Sequence, residues 1–560
     1  MTRWAMVADL ERCVGCQTCT AACRHANATS PAVQWRKVLD VEAGSFPSVN
    51  RTFVPVGCQH CADPPCMHVC PSTATRQRPD GIVTIDYDIC IGCAYCDVAC
   101  PYQARFLVHE PHFAYGPAMQ NEVERFDDRR IGVAQKCTYC SDRIDFGVEN
   151  GLTPGRDPRA TPACVNACIA DALIFGDVED PYSNVSVLLR EQRHFRMHEE
   201  VGTEPSFYYV TGKADGAPDA LPTAAMESQQ AQPHRVRTRG VEPWHQQHWN
   251  WKAAGNFLCG GAGTGLLTFV ALTGLAQAPV LAAGLAALAI VAFGLFLLIF
   301  KIGRPFRFVY VLRQPQRSWM SREAWVAGAF FPVALASLWF DSRAGLLVAA
   351  LLGIGFMVCQ AMMFHASKGI PAWRARSIVP LVMATGFAEG SGLFLLIAAF
   401  VPGLQAFAMP IAAALVLLVA VRHVAWRNYL GELARTGAPT RTLEIYRAFA
   451  PWFLVVGLIA PLWLVASGFV APGFAPLLFA LAGIAALVAG WAFKMTLITR
   501  AGFNQGFALK HTPVRGYGAA GPAVKPGWTM LRSGKSRQSN DRHIDLQPRR
   551  NRTAARETTP

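Results

Sequence analysis

The sequence predicts an α+β unit rich in cysteine, followed by an all-α bundle of eight membrane-spanning helices. At 560 residues the chain is too long for one ordinary core, so two or more units are expected. All but two of its 18 cysteines lie before residue 170, whereas the long apolar stretches all lie after residue 253. The mean hydropathy of +0.22 is therefore the average of a polar half and an apolar half.

Sixteen of the cysteines fall into four groups with regular spacing. The groups are Cys13, Cys16, Cys19 and Cys23; Cys58, Cys61, Cys66 and Cys70; Cys90, Cys93, Cys96 and Cys100; and Cys137, Cys140, Cys164 and Cys168. Where three cysteines are separated by two residues each, a short loop can surround one iron–sulfur cube, while the fourth cysteine points toward a second cube. Each group should therefore serve two clusters, and sixteen thiolates suffice for four [4Fe–4S] clusters.

Zinc sites are the alternative interpretation, because paired Cys-x-x-Cys motifs also bind zinc. We favour iron–sulfur clusters, since a zinc site has no need of a third cysteine two residues further on. Short strands such as residues 81–86 and helices such as residues 163–173 separate the groups. This alternation is typical of ferredoxins, and it predicts a double ferredoxin-like electron-transfer domain over residues 1–212.

The first ten residues contain neither an apolar stretch nor a twin-arginine pair, so we expect no export signal. The cysteine-rich domain should then lie on the cytoplasmic side of the bacterial inner membrane. Disulfides are disfavoured in the cytoplasm, which again favours metal ligation by the cysteines.

The membrane half is predicted to begin after a linker and interfacial segment, residues 213–253, whose Trp244, Trp249 and Trp251 suit a bilayer interface. Eight apolar stretches of spanning length follow within a predicted anchor domain, residues 254–500. They are near 254–276, 279–300, 324–340, 344–365, 378–400, 404–421, 449–469 and 474–493. Buried core helices of a soluble protein are the alternative, which so many long apolar stretches disfavour.

The loops between these stretches alternate in charge. Fourteen cations lie in the loops after the second, fourth and sixth stretches: Lys301, Arg304, Arg307, Arg313, Arg317, Arg322, Lys368, Arg374, Arg376, Arg422, Arg427, Arg435, Arg441 and Arg447. The opposite loops hold only Arg343, so the positive-inside rule places both termini in the cytoplasm. Residues 501–560 are expected to form a basic cytoplasmic tail with a disordered end. The net charge of +14 thus reflects membrane topology, and we expect no nucleic-acid partner.

The cysteine half resembles the four-cluster iron–sulfur subunits of complex iron–sulfur molybdoenzymes, such as dimethyl sulfoxide reductase and sulfite dehydrogenase. The resemblance rests on residues 90–105 and 136–143, the order of the groups and the long insertion in the fourth. It implies that the groups exchange their last cysteines. The implied ligand sets are Cys13, Cys16, Cys19 and Cys168; Cys137, Cys140, Cys164 and Cys23; Cys58, Cys61, Cys66 and Cys100; and Cys90, Cys93, Cys96 and Cys70.

The membrane half resembles the eight-helix anchor subunit of the dimethyl sulfoxide reductase type. This resemblance rests on residues 301–325, 369–380 and 494–516, the last being most like the anchor of cytoplasmic sulfite dehydrogenases. The two resemblances together imply that an iron–sulfur subunit and a membrane anchor, separate in most relatives, are fused in this chain.

The anchor resemblance also implies a quinone site, with Glu323 as proton acceptor and Lys301 as a positioning group. The alternative for Glu323 is that it caps a helix N-terminus, where a negative charge is favourable. Glu389 lies mid-depth in the fifth stretch, where it could relay protons or be held neutral. His365 and His423 both lie at predicted cytoplasmic helix ends, so we expect no b-type haem.

Two classes of function remain. In the first, a molybdopterin-containing catalytic subunit exchanges electrons with membrane quinone through this chain, most simply for sulfite oxidation, with sulfoxide or polysulfide reduction as the alternative. In the second, the chain is a redox-driven membrane transporter. A transporter should carry several charges deep in its helices, and the sequence indicates chiefly Glu389.

Overall fold

The computed structural model describes residues 2–31, 33–45, 48–113, 116–213, 241–274, 278–509 and 524–529. Most of the predicted linker, residues 214–240, and most of the predicted tail, residues 510–523 and 530–560, lie outside the described residues.

The iron–sulfur half combines short helices with small sheets. Its elements are β1 (Trp4–Asp9), α1 (Thr18–Asn27), β2 (Arg36–Ser45), β3 (Ser48–Gly57), α2 (Pro65–His68), β4 (Thr75–Gln77), β5 (Val83–Ile85), α3 (Tyr95–Ala99), β6 (Phe106–Leu107), α4 (Gln120–Arg125), β7 (Ala134–Gln135), α5 (Ser141–Glu149), α6 (Ala163–Asn166), β8 (Leu173–Asp177), α7 (Asn184–Glu191), β9 (Gln192–Phe195) and β10 (Phe207–Lys213).

The main sheet has the strand order β8-β1-β10-β9, with β1 and β10 parallel and the outer pairs antiparallel. Every residue of β1 is buried, because both faces of the sheet are covered. Trp4 and Met6 face the core that contains the cysteines, whereas Ala5 and Val7 pack toward Val185 of α7. The hairpins β2–β3, β4–β5 and β6–β7 carry the cysteine loops around this sheet.

The second half is a helix bundle. Its helices are α8 (Trp251–Thr273), α9 (Ala278–Ile299), α10 (Trp319–Trp339), α11 (Arg343–His365), α12 (Pro371–Arg374), α13 (Ile378–Ala398), α14 (Pro402–Gln405), α15 (Ala408–Thr436), α16 (Thr440–Leu454), α17 (Ala460–Val470) and α18 (Ala475–Thr499). A π-helical turn, Val455–Ile459, joins α16 to α17. The strands β11 (Ala438–Pro439) and β12 (Trp528–Thr529) pair at one end of the bundle.

Helix α8 lies at the centre of the bundle, where small residues allow close approach of its neighbours. A Cβ atom on Gly265 would lie only 2.5 Å from the carbonyl oxygen of Gly386 on α13. Backbone contact of this kind is typical of helices packed in a membrane, where there is little hydrophobic drive between helices.

Seven helical segments are long and apolar enough to cross a membrane among the residues that the structure describes. They are Trp251–Thr273, Pro279–Ile299, Arg343–His365, Ile378–Ala398, Ala408–Thr436, Thr440–Val470 and Pro472–Thr499. The predicted third span forms helix α10, packed on α11, but it is not among the seven. Arg322 and Glu323 in its first turns and Pro332 at its middle make it more polar than the others. An eighth span is therefore not confirmed.

Two predicted spans end too early, because their helices continue past the cations that follow the apolar stretches. Helix α15 extends to Thr436, so Arg422, Arg427 and Arg435 lie on it and not in a loop. The side chain of Arg422 is 1 % exposed. Helix α18 extends past the predicted end at residue 493 and includes the buried Lys494. Sequence reasoning thus placed too few charged side chains inside the bundle.

The two halves share an extensive contact surface. Trp249, predicted at the bilayer interface, is 2 % exposed and packs under the iron–sulfur half, whereas Trp251 is 57 % exposed. Beyond the last helix, Phe507 and Leu509 enter the core of the iron–sulfur half, and Trp528 is buried as well. These described parts of the predicted tail therefore bind the two halves together.

Candidate cluster and quinone sites

The cysteines lie in four sets, and each set takes its members from two sequence groups. Set A is Cys13, Cys16, Cys19 and Cys168; set B is Cys137, Cys140, Cys164 and Cys23; set C is Cys58, Cys61, Cys66 and Cys100; set D is Cys90, Cys93, Cys96 and Cys70. The four thiols of set A line one cavity, and the four thiols of set C line another. None of the 18 cysteines, all within the described residues, forms a disulfide.

The members of set B lie close to one another, and so do the members of set D. The Asn27 amide nitrogen lies 3.7 Å from the Cys23 sulfur and 3.8 Å from the Cys140 sulfur, which joins α1 to the fourth sequence group. In set D, burial raises the pKa of Cys96, and the neighbouring thiolates of Cys93, Cys90 and Cys70 raise it further. The structure therefore brings together the members of each implied set, and their ligation of clusters stays a prediction.

These sets have the character of cluster ligands. Among the described residues, no three His, Cys, Asp or Glu side chains are arranged to hold a single metal ion. A [4Fe–4S] cluster takes one thiolate on each of its four irons, so its ligands surround a cavity and do not converge on one point. The thiols that line the cavities of sets A and C fit that requirement. Where burial raises the pKa of a cysteine thiol, binding to iron stabilises the deprotonated form and offsets the cost of ionisation.

Three buried cations lie among the cysteine sets, and no sequence pattern indicated them. Arg36 is 1 % exposed, and although burial lowers its pKa, thiolates including Cys164 and Cys19 raise it overall. Lys136 is also 1 % exposed and lies near Cys58 and Cys137. Since each cation adjoins members of two sets, Arg36 lies between sets A and B and Lys136 between sets B and C.

Arg105 occupies the corresponding position between sets C and D. Its Nη2 donates to the sulfur of Cys66 at 2.7 Å, and its Nη1 donates to the hydroxyl of Thr75 at 3.3 Å. Burial lowers the pKa of Arg105, but thiolates of both sets, Cys66 and Cys96 among them, raise it overall. Buried charges are rare unless paired, so the three cations imply compensating negative charge on the sets.

Set D faces the helix bundle, because the bundle loops bind its cysteine loop directly. The Lys301 ammonium donates to the Cys93 carbonyl, and Arg307 donates to the Cys90 carbonyl at 3.2 Å. Tyr95, which opens α3 between two cysteines of set D, donates its hydroxyl to the Met363 carbonyl at 3.0 Å. Set D is therefore a cysteine set that adjoins the bundle directly.

Glu323 is buried in the bundle and is 3 % exposed. One carboxylate oxygen accepts hydrogen bonds from the amides of Asn256 at 3.2 Å and Gln360 at 3.0 Å. These partners belong to α8 and α11, so the side chain joins three helices and does not cap α10. Sequence reasoning missed Asn256 and Gln360, although amides inside apolar stretches are a signal for a polar site.

The predicted partner Lys301 lies elsewhere. Its ammonium is 5.0 Å from the centre of the Trp249 ring and binds the cysteine loop, and among the described contacts it forms no ion pair with Glu323. An aromatic series runs from the set D loop into helix α8. Tyr95 and Trp249 have ring centres 5.5 Å apart, and Trp249 and Phe257 are 5.7 Å apart. Phe257 follows Asn256 in α8, the helix that also supplies an amide donor to Glu323.

Glu389 does not lie alone in the bundle. It forms a 2.6 Å ion pair with Lys494, and both side chains are at most 1 % exposed. Arg422 donates to the carbonyl of Ala486 at 2.9 Å and to that of Gly457 within the π-helical turn. Besides Glu323, three ionisable side chains among the described residues therefore lie inside the bundle, where the sequence had indicated chiefly Glu389.

The two histidines considered for haem are only partly buried. His365 ends α11, whereas His423 lies within α15, which continues beyond it. The expected absence of haem stays a prediction.

Buried sets of four cysteines on a double ferredoxin-like scaffold, packed on apolar helices, define an iron–sulfur electron-transfer protein of the membrane type. Comparison with known proteins agrees. Residues 49–114 and residues 82–169 each match a family model described as a 4Fe-4S dicluster domain.

Several curated relatives match the iron–sulfur half over most of their own length. A selenate reductase subunit of Mesobacillus selenatarsenatis is 41 % identical over 228 residues, which cover 37 % of this chain and 72 % of the relative. A sulfite dehydrogenase subunit of Allochromatium vinosum is 38 % identical over 226 residues, covering 38 % of this chain and 83 % of the relative. A tetrathionate reductase subunit of Salmonella typhimurium is 37 % identical over 229 residues, covering 40 % and 76 %.

The chain belongs to this family of iron–sulfur subunits of oxidoreductase complexes. The predicted resemblance is thereby confirmed for the iron–sulfur half. The helical half lies beyond the matched part, and the names of the relatives single out no one substrate.

Proposed function

We propose that this chain carries electrons between a molybdopterin-containing catalytic subunit and membrane quinone, through four [4Fe–4S] clusters held by sets A to D. The observation that carries the proposal is the order of the sets. Arg36, Lys136 and Arg105 lie between successive sets from A to D, and set D adjoins the bundle. When bound, the clusters supply one-electron carriers, and the chain fixes their spacing and surrounding charge.

Set A is the proposed entry for electrons from the catalytic subunit. Cys16 is the exposed cysteine among the sixteen, and Val14 and Ile169 beside the set are 50 % and 73 % exposed. An apolar rim around a ligand suits contact with another protein. We propose domain limits of 1–212 for the cluster domain, 213–253 for the linker and interfacial segment, 254–500 for the anchor and 501–560 for the tail.

Glu323 is the proposed proton acceptor of the quinone site. Quinone reduction needs two electrons and two protons, so the site has to combine a carrier with an ionisable group. Tyr95 belongs to the set D loop and packs on Trp249, and the Asn256 and Gln360 amides hold the Glu323 carboxylate in place. Lys301 is then a positioning group for the set D loop, whereas the resemblance implied a positioning group of the quinone site itself.

We propose eight spans, including α10, with both termini on the cytoplasmic side of the bacterial inner membrane. The cations in the loops after the second and fourth predicted apolar stretches support this topology. Arg422 is not needed for this argument, because it lies on helix α15. With a cytoplasmic cluster domain, the overall reaction we propose is the two-electron oxidation of sulfite to sulfate, in which water supplies the oxygen atom and quinone is reduced to quinol.

Reduction of another oxyanion or of a sulfoxide, with quinol as electron donor, is the second candidate. It is supported by relatives named selenate reductase and tetrathionate reductase, at identities similar to that of the sulfite dehydrogenase. Redox-driven transport is a more distant candidate, supported by the charges of Glu389, Lys494 and Arg422 inside the bundle.

The decisive experiment is purification of the whole chain with the proteins that accompany it, followed by two measurements. Molybdenum should be present in the purified complex. Membranes that contain the complex should reduce quinone when sulfite is added. A complex without molybdenum would refute the proposed partner. Molybdenum together with quinol-dependent selenate or tetrathionate reduction, but without sulfite oxidation, would replace the substrate and keep the electron path.

A further inference from the structure

A groove on the lipid-facing side of the bundle lies apart from the proposed electron path. It lies between α16 and α18, at the end of the bundle that contacts the iron–sulfur half, and it encloses about 600 Å³. Its lining residues are His245, Ile445, Ala448, Phe449, Trp452, Thr496, Thr499, Arg500 and Phe503. None of these is acidic, and most of the lining is apolar.

The apolar wall of the groove is one face of α16. Ile445, Ala448, Phe449 and Trp452 recur at intervals of three and four residues, so they share this face. Trp452 is 39 % exposed, and an amphipathic tryptophan at this level suits the boundary between acyl chains and headgroups. The wall therefore offers a surface for hydrocarbon chains below a polar rim.

The rim carries a guanidinium and an imidazole. Arg500, directly after α18, is exposed, and its guanidinium forms no ion pair among the described residues. The Nε2 atom of His245 is buried without a hydrogen-bond partner, while its ring packs edge-on against Phe503 with centres 5.1 Å apart. This nitrogen is enclosed, so an oxygen in the groove reaches the Arg500 guanidinium and not Nε2 of His245.

We propose that this groove binds an anionic phospholipid of the adjacent leaflet. The phosphate accepts hydrogen bonds from the Arg500 guanidinium, and an acyl chain lies along the α16 face. Basic pockets between membrane helices bind phospholipid headgroups through this combination of charge and apolar wall. The lining contains no acidic residue, which fits an anion and disfavours a zwitterionic headgroup.

The groove is distinct from the proposed quinone site. Glu323 lies on α10, which packs on α9 and α11, whereas the groove is formed by α16 and α18 together with His245. The inference depends on the location of the helices in a membrane, and it does not depend on the substrate or on the direction of electron flow.

Retention of phosphatidylglycerol by the whole chain tests the proposal. The wild-type chain and two variants are reconstituted in phosphatidylcholine vesicles containing phosphatidylglycerol, extracted in mild detergent, and analysed for bound lipid by mass spectrometry. The Arg500→Gln variant should retain about fivefold less phosphatidylglycerol, as expected for loss of one cation at the membrane surface. Arg447→Gln is the matched control, because Arg447 is exposed on α16 but does not line the groove.

A second measurement reports on position. Phosphatidylglycerol brominated on its acyl chains should quench wild-type tryptophan fluorescence more than brominated phosphatidylcholine does, and Trp452→Phe should remove this difference. Equal retention by Arg500→Gln and the wild type would overturn the proposal. So would the finding that quinone, and not phosphatidylglycerol, is lost from the Arg500→Gln variant.

Discussion

Replacing Arg105 by glutamine should lower the reduction potential of the cluster proposed for set C by about 120 mV. The buried guanidinium donates to the Cys66 sulfur at 2.7 Å, so its charge favours the more negative, reduced cluster. A unit charge about 6 Å from the cluster centre, at an effective dielectric constant of about 20, contributes about 2.8 kcal/mol. Since about 1.4 kcal/mol corresponds to about 59 mV for one electron, the shift is about 120 mV.

The assay is a redox titration of the purified whole chain, followed by electron paramagnetic resonance at each potential. Iron analysis of the same sample checks that all clusters are still present. Arg105→Lys is the control that keeps the charge, and it should shift the potential far less. A cluster potential that changes by less than about 20 mV in Arg105→Gln would refute the argument that this buried charge tunes set C.

Three further predictions concern the bundle. Glu323→Gln should reduce the rate of quinone reduction by roughly 100-fold while cluster reduction by the catalytic partner stays normal, and an unchanged quinone rate would remove Glu323 from the site. Lys494→Met should lower stability by about 3 kcal/mol, because it leaves Glu389 unpaired, and the double variant with Glu389→Gln should recover part of that loss; equal melting temperatures for the two variants in detergent would contradict this. Gly265→Leu should prevent close packing of α8 on α13 and lower the yield of folded protein, whereas Gly328→Leu, at a position with open space, should not.

The grouping of the cysteines could be anticipated because cluster ligation fixes their spacing locally. The burial of three cations, Arg36, Lys136 and Arg105, could not be anticipated. A single arginine or lysine between two motifs looks the same in the sequence whether it is exposed or buried. Only the packing of the loops decides which cations enter the core.

The membrane half was harder to predict at its helix ends. A cation normally marks the end of an apolar stretch, and that rule placed Arg422 in a loop. In the structure, the π-helical turn offers the Gly457 carbonyl to Arg422, and Glu389 offers a carboxylate to Lys494, so both cations are accommodated inside helices. Such compensation depends on partners distant in sequence, which no local pattern contains.

The contact surface between the two halves has a consequence for how the protein is made. Phe507 and Leu509 return from beyond the last helix to the iron–sulfur half, and Trp528 pairs with strand β11 of the bundle, so the carrier and its anchor are held together at both ends of the bundle's sequence. Translation as one polypeptide fixes their ratio at one to one, and the segment that follows the bundle is needed to close the junction. A chain that stopped at the end of α18 would lack the contacts of Phe507, Leu509 and Trp528 and would leave this side of the junction open.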